Sequence, residues 1–411
     1  MLDGNAWRLG YFNAEDEAEY LLMRSNEARF RDFQKEHRDH LNNHFYIVIT
    51  PNTLDMLECC LTFIPKNVPL FLILKGLYSW EEDFLNRIYP NTPKFTLETK
   101  DRDILYDRVL DLLMECNHFN FGVIDPDCFV LNNEFFSWLQ INDNEFALSP
   151  FTCFNNKSNI TFPRTHFLLF NTSIIHNLRM KYQISFKRCW TIPTRLEPQL
   201  TALNLGYHNF PHVTLNYFDT FQLIWALALH EGFTFAAGRP YKIIHVGAGS
   251  GYLSEATRDK IIDNLPRYEA LSRLEQEKLR SAVFSYYAHL ILLENTKSLE
   301  LIKHYGPFFS HLGPSGTFLK AISGAVSPHK VKEMDLLISH LKFHRGEEPE
   351  ASKWARIKNK MDASPLKDAS DLPANFDPKQ YVLSYPDLFE HEVDPYEHYL
   401  NWGRYEGRSY H

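Results

Sequence analysis

The sequence predicts an α/β fold: a mostly parallel sheet flanked by helices, then an α-helical region, then a small helical C-terminal module. Three observations predict it. Strand and helix patterns alternate from residue 44 to 131, which is the signature of a largely parallel sheet with helices on both faces. Almost only helical pattern follows from Tyr252 to about Arg345. Residues 376–411 are short-ranged, aromatic-rich and helical.

Each element has its own signal. Residues 1–40 are charged and helix-like and are expected to form a helical N-terminal extension. HFYIVIT (44–50) is a buried strand, LDMLECCLTFI (54–64) has helical periodicity, and VPLFLILKGL (68–77) is a second strand. SWEEDFLNRIY (79–89) is a helix opened by Ser79 as N-cap, with acids in its first turn. KFTLET (94–99) is a short strand, DILYDRVLDLLMECN (103–117) an amphipathic helix, and NFGVIDPDCFVL (120–131) a fourth strand. The pattern then loosens. RTHFLLFN (164–171) and HVTLN (212–216) read as strands with loops between them. DTFQLIWALALHEGF (219–233) is an apolar helix with Asp219 as its N-cap, and KIIHVG (242–247) is a strand. The expected organisation is an extension at 1–40, an α/β domain at 41–251, a helical region at 252–345, a polar linker at 346–375 and a module at 376–411. In that module Asp377-Pro378 and Asp394-Pro395 each open a short helical segment.

Composition narrows the function. A net charge of -8 over 411 residues argues against a general nucleic-acid binder, which needs a basic face. The six cysteines, at 59, 60, 116, 128, 153 and 189, show no C-x-x-C spacing, so reduced thiols and a cytoplasmic location are expected. The first residues are acidic and lack an apolar core, so no signal peptide is expected. No run of about 18 apolar residues is present, so no membrane span is expected.

Two stretches carry candidate chemistry. In FGVIDPDCFVL, Asp125 and Asp127 lie at a strand end, and in a strand i and i+2 point to one face. Two carboxylates aimed into one space need a cation or hydrogen-bond donors, and a divalent ion with hard oxygen ligands suits them. Ligands of open α/β sheets also gather at the carboxyl ends of strands. The other reading has Asp125 capping a turn before Pro126 and Asp127 solvated. In YKIIHVGAGSGYL, Gly247, Gly249 and Gly251 alternate after a strand holding His245. A methyltransferase or dinucleotide turn would need the sheet to follow the glycines, with an acid ending the next strand about 20 residues on. Here the sheet precedes the turn. The remaining readings are a permissive exit from a strand, and for His245 a satisfied core position.

The whole order of strands, Asp125-Pro126-Asp127, an irregular stretch, a helix headed by Asp219, then a strand bearing His245, resembles the nucleotide-sugar glycosyltransferases of the GT-A fold over residues 44–250. The resemblance implies that Asp125, Asp127 and His245 hold Mn²⁺ or Mg²⁺ and that the ion bridges the donor diphosphate, with Asp125 also on the donor. It implies an acceptor-side base at Asp219, where the family often shows Glu-Asp and this chain has Phe218-Asp219. A helix start would stabilise the charge of Asp219; as a base it would contribute roughly 10²–10⁴-fold, and as a plain N-cap nothing to catalysis. A bound ion neutralises charge on the departing diphosphate. Gly247 and Gly249 would let backbone amides approach that diphosphate. Thr50, Pro51 and Asn52, after the first strand, are the candidates for the donor base and ribose, with Lys75 and Arg102 as weaker candidates that also read as ordinary surface charges.

The tail resembles a short module of bacterial proteins that often accompanies polysaccharide-building glycosyltransferases. Tyr385-Pro386-Asp387, His398-Tyr399-Leu400 and Gly403 with Glu406-Gly407-Arg408 carry that likeness. The expectation is a metal-dependent glycosyltransferase moving a sugar from a nucleotide-diphosphate donor to a glycan acceptor of the cell surface. It would work in the cytoplasm at the inner membrane face, with no nucleic-acid partner, and homo-oligomers are compatible with it. The rivals are a non-catalytic glycan- or partner-binding protein with a degenerate core, and an S-adenosylmethionine-dependent methyltransferase.

Overall fold

Six of the seven strands in the central sheet run the same way, and the seventh runs against them. The computed structural model describes residues 17–41, 43–99, 106–189, 191–206, 218–237, 243–247, 259, 261, 263–296, 298–309, 326–345 and 351–408. The chain forms two units, 1–325 and 326–411. The first begins α1 (Glu17–Glu36), β1 (His44–Ile49), α2 (Leu54–Thr62), β2 (Leu70–Lys75), α3 (Ser79–Ile88), β3 (Lys94–Leu97), α4 (Tyr106–Cys116), β4 (Phe121–Ile124) and β5 (Cys128–Val130). It continues with β6 (Glu145–Ser149), β7 (Thr152–Asn155), β8 (Ile160–Pro163), β9 (Phe167–Phe170), α5 (Thr172–Tyr182), α6 (Glu197–Ala202), α7 (Gln222–His230), β10 (Thr234–Ala237) and β11 (Ile243–His245). Among the described residues, α8 (Arg273–Asn295) and α9 (Leu299–Phe309) are its last helices.

The strand order is β10-β6-β9-β4-β1-β2-β3. Every residue of β1 is buried, as a strand covered on both faces requires, and this explains its unbroken apolar run. Helix α1 belongs to this packing. Phe30 is buried against Phe95 and Tyr46, and Asn26 bonds both the amide and the carbonyl of Glu98 after β3. At the amino edge of β1, Gln34, His44, Tyr46 and Asn117 form a buried hydrogen-bonded cluster. In the same helical layer as α1, Arg179 of α5 donates to Asp111 of α4 at 2.8 Å with both side chains buried.

Several sequence expectations shift by local chemistry. Helix α3 is capped at Tyr78 rather than Ser79, because buried Glu81 reaches back to the Tyr78 amide at 3.0 Å. The helix expected from Asp219 begins at Gln222, with Phe221 before it in the left-handed region at φ 69°. Strands β6, β7, β8 and β10 are additions. Strand β11 does not end the main sheet: it pairs antiparallel with β5 in a two-stranded sheet of its own. The expected strand at 212–216, Arg102 and Gly249 lie outside the described residues.

The second unit holds α10 (Pro328–His344), α11 (Ala351–Ala363), α12 (Pro378–Ser384), α13 (Pro386–Glu390) and α14 (Pro395–His398), which runs into a π-turn at Tyr399–Gly403. Asp377 and Asp394 cap α12 and α14 as the sequence predicts. Part of the stretch read as linker is α11, which buries Ile357 and lays Trp354 along Phe389. The aromatics of the tail form a core of Tyr381, Leu388 and Tyr399. Gly403 is required there: a Cβ at that position would meet the Tyr381 hydroxyl at 1.9 Å.

Candidate metal centre at the carboxyl edge of the sheet

Strands β1, β2 and β4 are parallel, so Thr50, Lys75 and Asp125 all lie toward one edge of the sheet. Asp125 and Asp127 are not in a strand. Ile124 ends β4, Cys128 begins β5, and the Cys128 amide closes a turn onto the Asp125 carbonyl at 2.9 Å. Aspartate at the first position and proline at the second favour such a turn, and Pro126 has no N–H to give a ladder.

The turn nevertheless brings both carboxylates to His245. In the β5–β11 pair His245 lies opposite Cys128, next to Asp127 in the chain. Its Nε2 is 3.5 Å from Asp127 Oδ1 and 4.0 Å from Asp125 Oδ2. The Asp127 carbonyl accepts the Val246 amide, and Asp127 Oδ2 accepts the Gly247 amide at 3.1 Å. Gly247 has φ +72°, a conformation that side chains rarely adopt, and a Cβ there would press on the His245 ring at 3.3 Å. Gly247 therefore shapes the turn and spends its amide on Asp127.

His166 joins the cluster, and the sequence reading missed it. Strand β9 runs antiparallel to β4 with Phe167 opposite Ile124, so the residue before β9 faces the residue after β4. The Asp125 amide donates to the His166 carbonyl at 2.9 Å, and His166 Nδ1 lies 3.3 Å from Asp125 Oδ2. The His166 and His245 rings stack with centroids 3.3 Å apart, and Phe151 touches both edge-on. Buried Ser149 fixes that wall by donating to the carbonyls of Phe151 and Arg164 while accepting the Phe151 amide. Tyr106 donates to the other oxygen of Asp125 at 3.1 Å. Burial and the Asp125 carboxylate hold the Tyr106 hydroxyl well above its usual range, so it stays a donor. Burial, aided by His245, holds the His166 imidazole below its usual range and keeps its lone pair available.

The donor set fits a divalent ion. One ligand atom from each of Asp125, His166 and His245 falls within 4.8 Å of the others. Donors bound about 2.1 Å from one ion lie about 3–3.5 Å apart, and the contacts above differ from that by no more than a small side-chain movement. Asp127, buried beside His245, adds a second carboxylate.

The remaining candidates lie elsewhere or serve the fold. Asp219 does not join the cluster: it binds Arg188 Nε at 2.9 Å and accepts its neighbour's amide from Thr220. Two residues later Phe221 packs on Phe170, whose register partner is Phe121 at the amino end of β4, the end away from Asp125. Thr50, Pro51 and Asn52 form the turn after β1, with Asn52 at φ 65° and its amide on Glu81 Oε1 at 2.7 Å. Lys75 ends β2.

Residues 21–175 match a protein family described as StrH glycosyltransferase N-terminal domain. The match supports a glycosyltransferase, and its span runs from α1 through Asp125, Asp127 and His166 into α5. No curated protein matches the chain. Among solved structures, a mannosyltransferase from Pyrobaculum calidifontis in complex with GDP-Man and Mn²⁺ is similar at 11% identity, covering 69% of this chain and 86% of that one, with a TM-score of 0.33. That score is too low to bear on fold or site. No helix among the described residues is long and apolar enough to cross a membrane.

Proposed function

We propose that the protein is a metal-dependent glycosyltransferase that moves a sugar from a nucleoside-diphosphate donor to a glycan acceptor. The observation that carries the reading is the meeting of Asp125, Asp127, His166 and His245 at the carboxyl edge of a mostly parallel sheet, in a chain whose residues 21–175 match a glycosyltransferase domain. Asp125, His166 and His245, with Asp127 beside them, would hold the ion. Two imidazoles beside carboxylates suit Mn²⁺ better than Mg²⁺, which prefers oxygen. A bound ion supplies Lewis-acid neutralisation of charge on the departing diphosphate.

The protein's own groups prepare that site. Tyr106 and the His166 carbonyl fix Asp125, and the Val246 and Gly247 amides fix Asp127. The turn at Thr50, Pro51 and Asn52, on the same edge, is the proposed seat of base and ribose. Asp219 as acceptor-side base requires the acceptor to reach the Arg188–Asp219 pair. The likeness of the tail to modules of polysaccharide-building enzymes supports a surface-glycan acceptor handled at the cytoplasmic face of the membrane.

Calorimetric titration with UDP and GDP, with and without Mn²⁺, tests the reading. We expect binding of one nucleotide that needs Mn²⁺ and falls at least tenfold in Asp127→Ala. Absence of nucleotide binding under both conditions sinks it. Stabilisation by S-adenosylmethionine without metal would replace it with the methyltransferase, although β11 lacks the parallel sheet position that enzyme requires.

A further inference from the structure

Helices α8 and α9 come more than 200 residues after the turn that follows β1, yet buried polar contacts tie them to the start of α2 and, through Glu81, to that turn. The Tyr305 hydroxyl accepts the Leu54 amide at 3.3 Å and donates to Glu81 Oε1 at 2.9 Å. The same Glu81 oxygen accepts the Asn52 amide at 2.7 Å, and its other oxygen accepts Tyr78. His289 Nδ1 pairs with Asp55 Oδ2 at 2.7 Å, with neither side chain exposed beyond 1%. Further out, Thr296 donates to Glu58, Arg87 pairs with Glu300, and the Trp80 and His304 rings stack at 3.9 Å.

These contacts have a direction. Asn52 sits in the left-handed region, where an asparagine is tolerated but not preferred over an ordinary backbone. A turn of that kind persists only where its surroundings over-determine it. Here they do: two amides of the 52–54 segment end on one buried carboxylate–phenol pair. Burial and the nearby Glu81 and Asp55 carboxylates hold the Tyr305 hydroxyl well above its usual range, so it remains a donor to Glu81 at any working pH. An uncompensated Glu81 would be costly in this setting, since a buried charge needs its hydrogen bonds.

We infer that Tyr305 of α9, acting through Glu81, is a positioning residue for the Thr50–Asn52 turn and sets its affinity for the nucleoside of the donor, while His289 of α8 holds Asp55 in the first turn of the adjoining helix α2. The inference rests on the glycosyltransferase reading and deepens it. It makes α8 and α9 part of the support of the donor site. None of these four side chains belongs to the Asp125, Asp127, His166 and His245 cluster, so nucleoside affinity and metal affinity separate.

The test is Tyr305→Phe, which removes one hydroxyl and keeps the ring. Whichever of UDP and GDP binds the wild type with Mn²⁺ is titrated into the variant, and Mn²⁺ alone is titrated into both proteins. The expected result is nucleotide affinity down at least fivefold with Mn²⁺ affinity within twofold. A merely structural role would lower the melting temperature and leave the nucleotide Kd within twofold, and that result overturns the inference while leaving the glycosyltransferase standing. A wild type that binds neither nucleotide overturns both. Hydrogen–deuterium exchange on the wild type gives the same answer should the variant fail to fold. Nucleotide binding should slow exchange at 50–57 and at 299–309 together, and protection confined to 50–57 overturns the inference.

Discussion

At Asp125 three side chains share two oxygens: Tyr106 takes Oδ1, while His166 and His245 both face Oδ2. The shared oxygen is therefore where an ion would gain most, because it replaces two loose contacts with ligation. His166 thus becomes a residue whose loss separates the metal reading from a packing role. His166→Ala should weaken Mn²⁺ binding at least tenfold by titration or by electron paramagnetic resonance of the free ion, and Asp219→Asn should leave it unchanged. Equal, negligible effects would return His166 to the aromatic wall with Phe151. The pair Asp125 and Asp127 was legible in the sequence, and so was His245, because each sits at the end of a recognisable apolar run. His166 was not. Its run, RTHFLLFN, reads as a strand in either direction, and only the antiparallel pairing of β9 with β4 carries its first residues to Asp125.

Between elements, the polar cluster of α1, β1 and the end of α4 gives the fold a measurable pH response. Burial lowers the His44 pKa from an ordinary 6.5 to about 4. As pH falls from 6.5, the unfolded chain takes up a proton at His44 before the folded one does. Stability present above pH 6.5 is therefore lost between 6.5 and 4, by about 3 kcal/mol in all for a gap of that size. His44→Gln should flatten that part of the acid unfolding profile relative to wild type, read from urea midpoints at pH 7 and pH 4.5. An unchanged profile would mean that His44 takes up its proton equally readily in the folded and the unfolded chain. The elements themselves were readable where their pattern was long and pure, as in β1, β2, α3 and α4. They were not where strands are short and half exposed, as in β7 and β8, or where a left-handed residue starts a helix, as Phe221 does at α7. Alternation and periodicity need length to show, and a positive φ at phenylalanine has no signature in composition.

Across the whole molecule, each of the two units has its own buried core, one spanning the sheet and its helices and one centred on Tyr381, Leu388 and Tyr399. All four proposed ligands lie in the first. A chain ended at residue 325 should therefore bind Mn²⁺ within twofold of the full-length protein by calorimetry, and loss of binding would show that the units depend on each other. The pairing of β11 with β5 has one more consequence. It brings Gly247 to Asp127 across 120 residues of chain, outside the seven-stranded sheet. An ion shared by Asp125 and His245 would close that stretch into a ring, as a disulfide does, and closing a long loop removes freedom chiefly from the unfolded chain. The metal would then be a clasp as well as a Lewis acid, and chelators should act on this protein as reductants act on a cystine-bridged one.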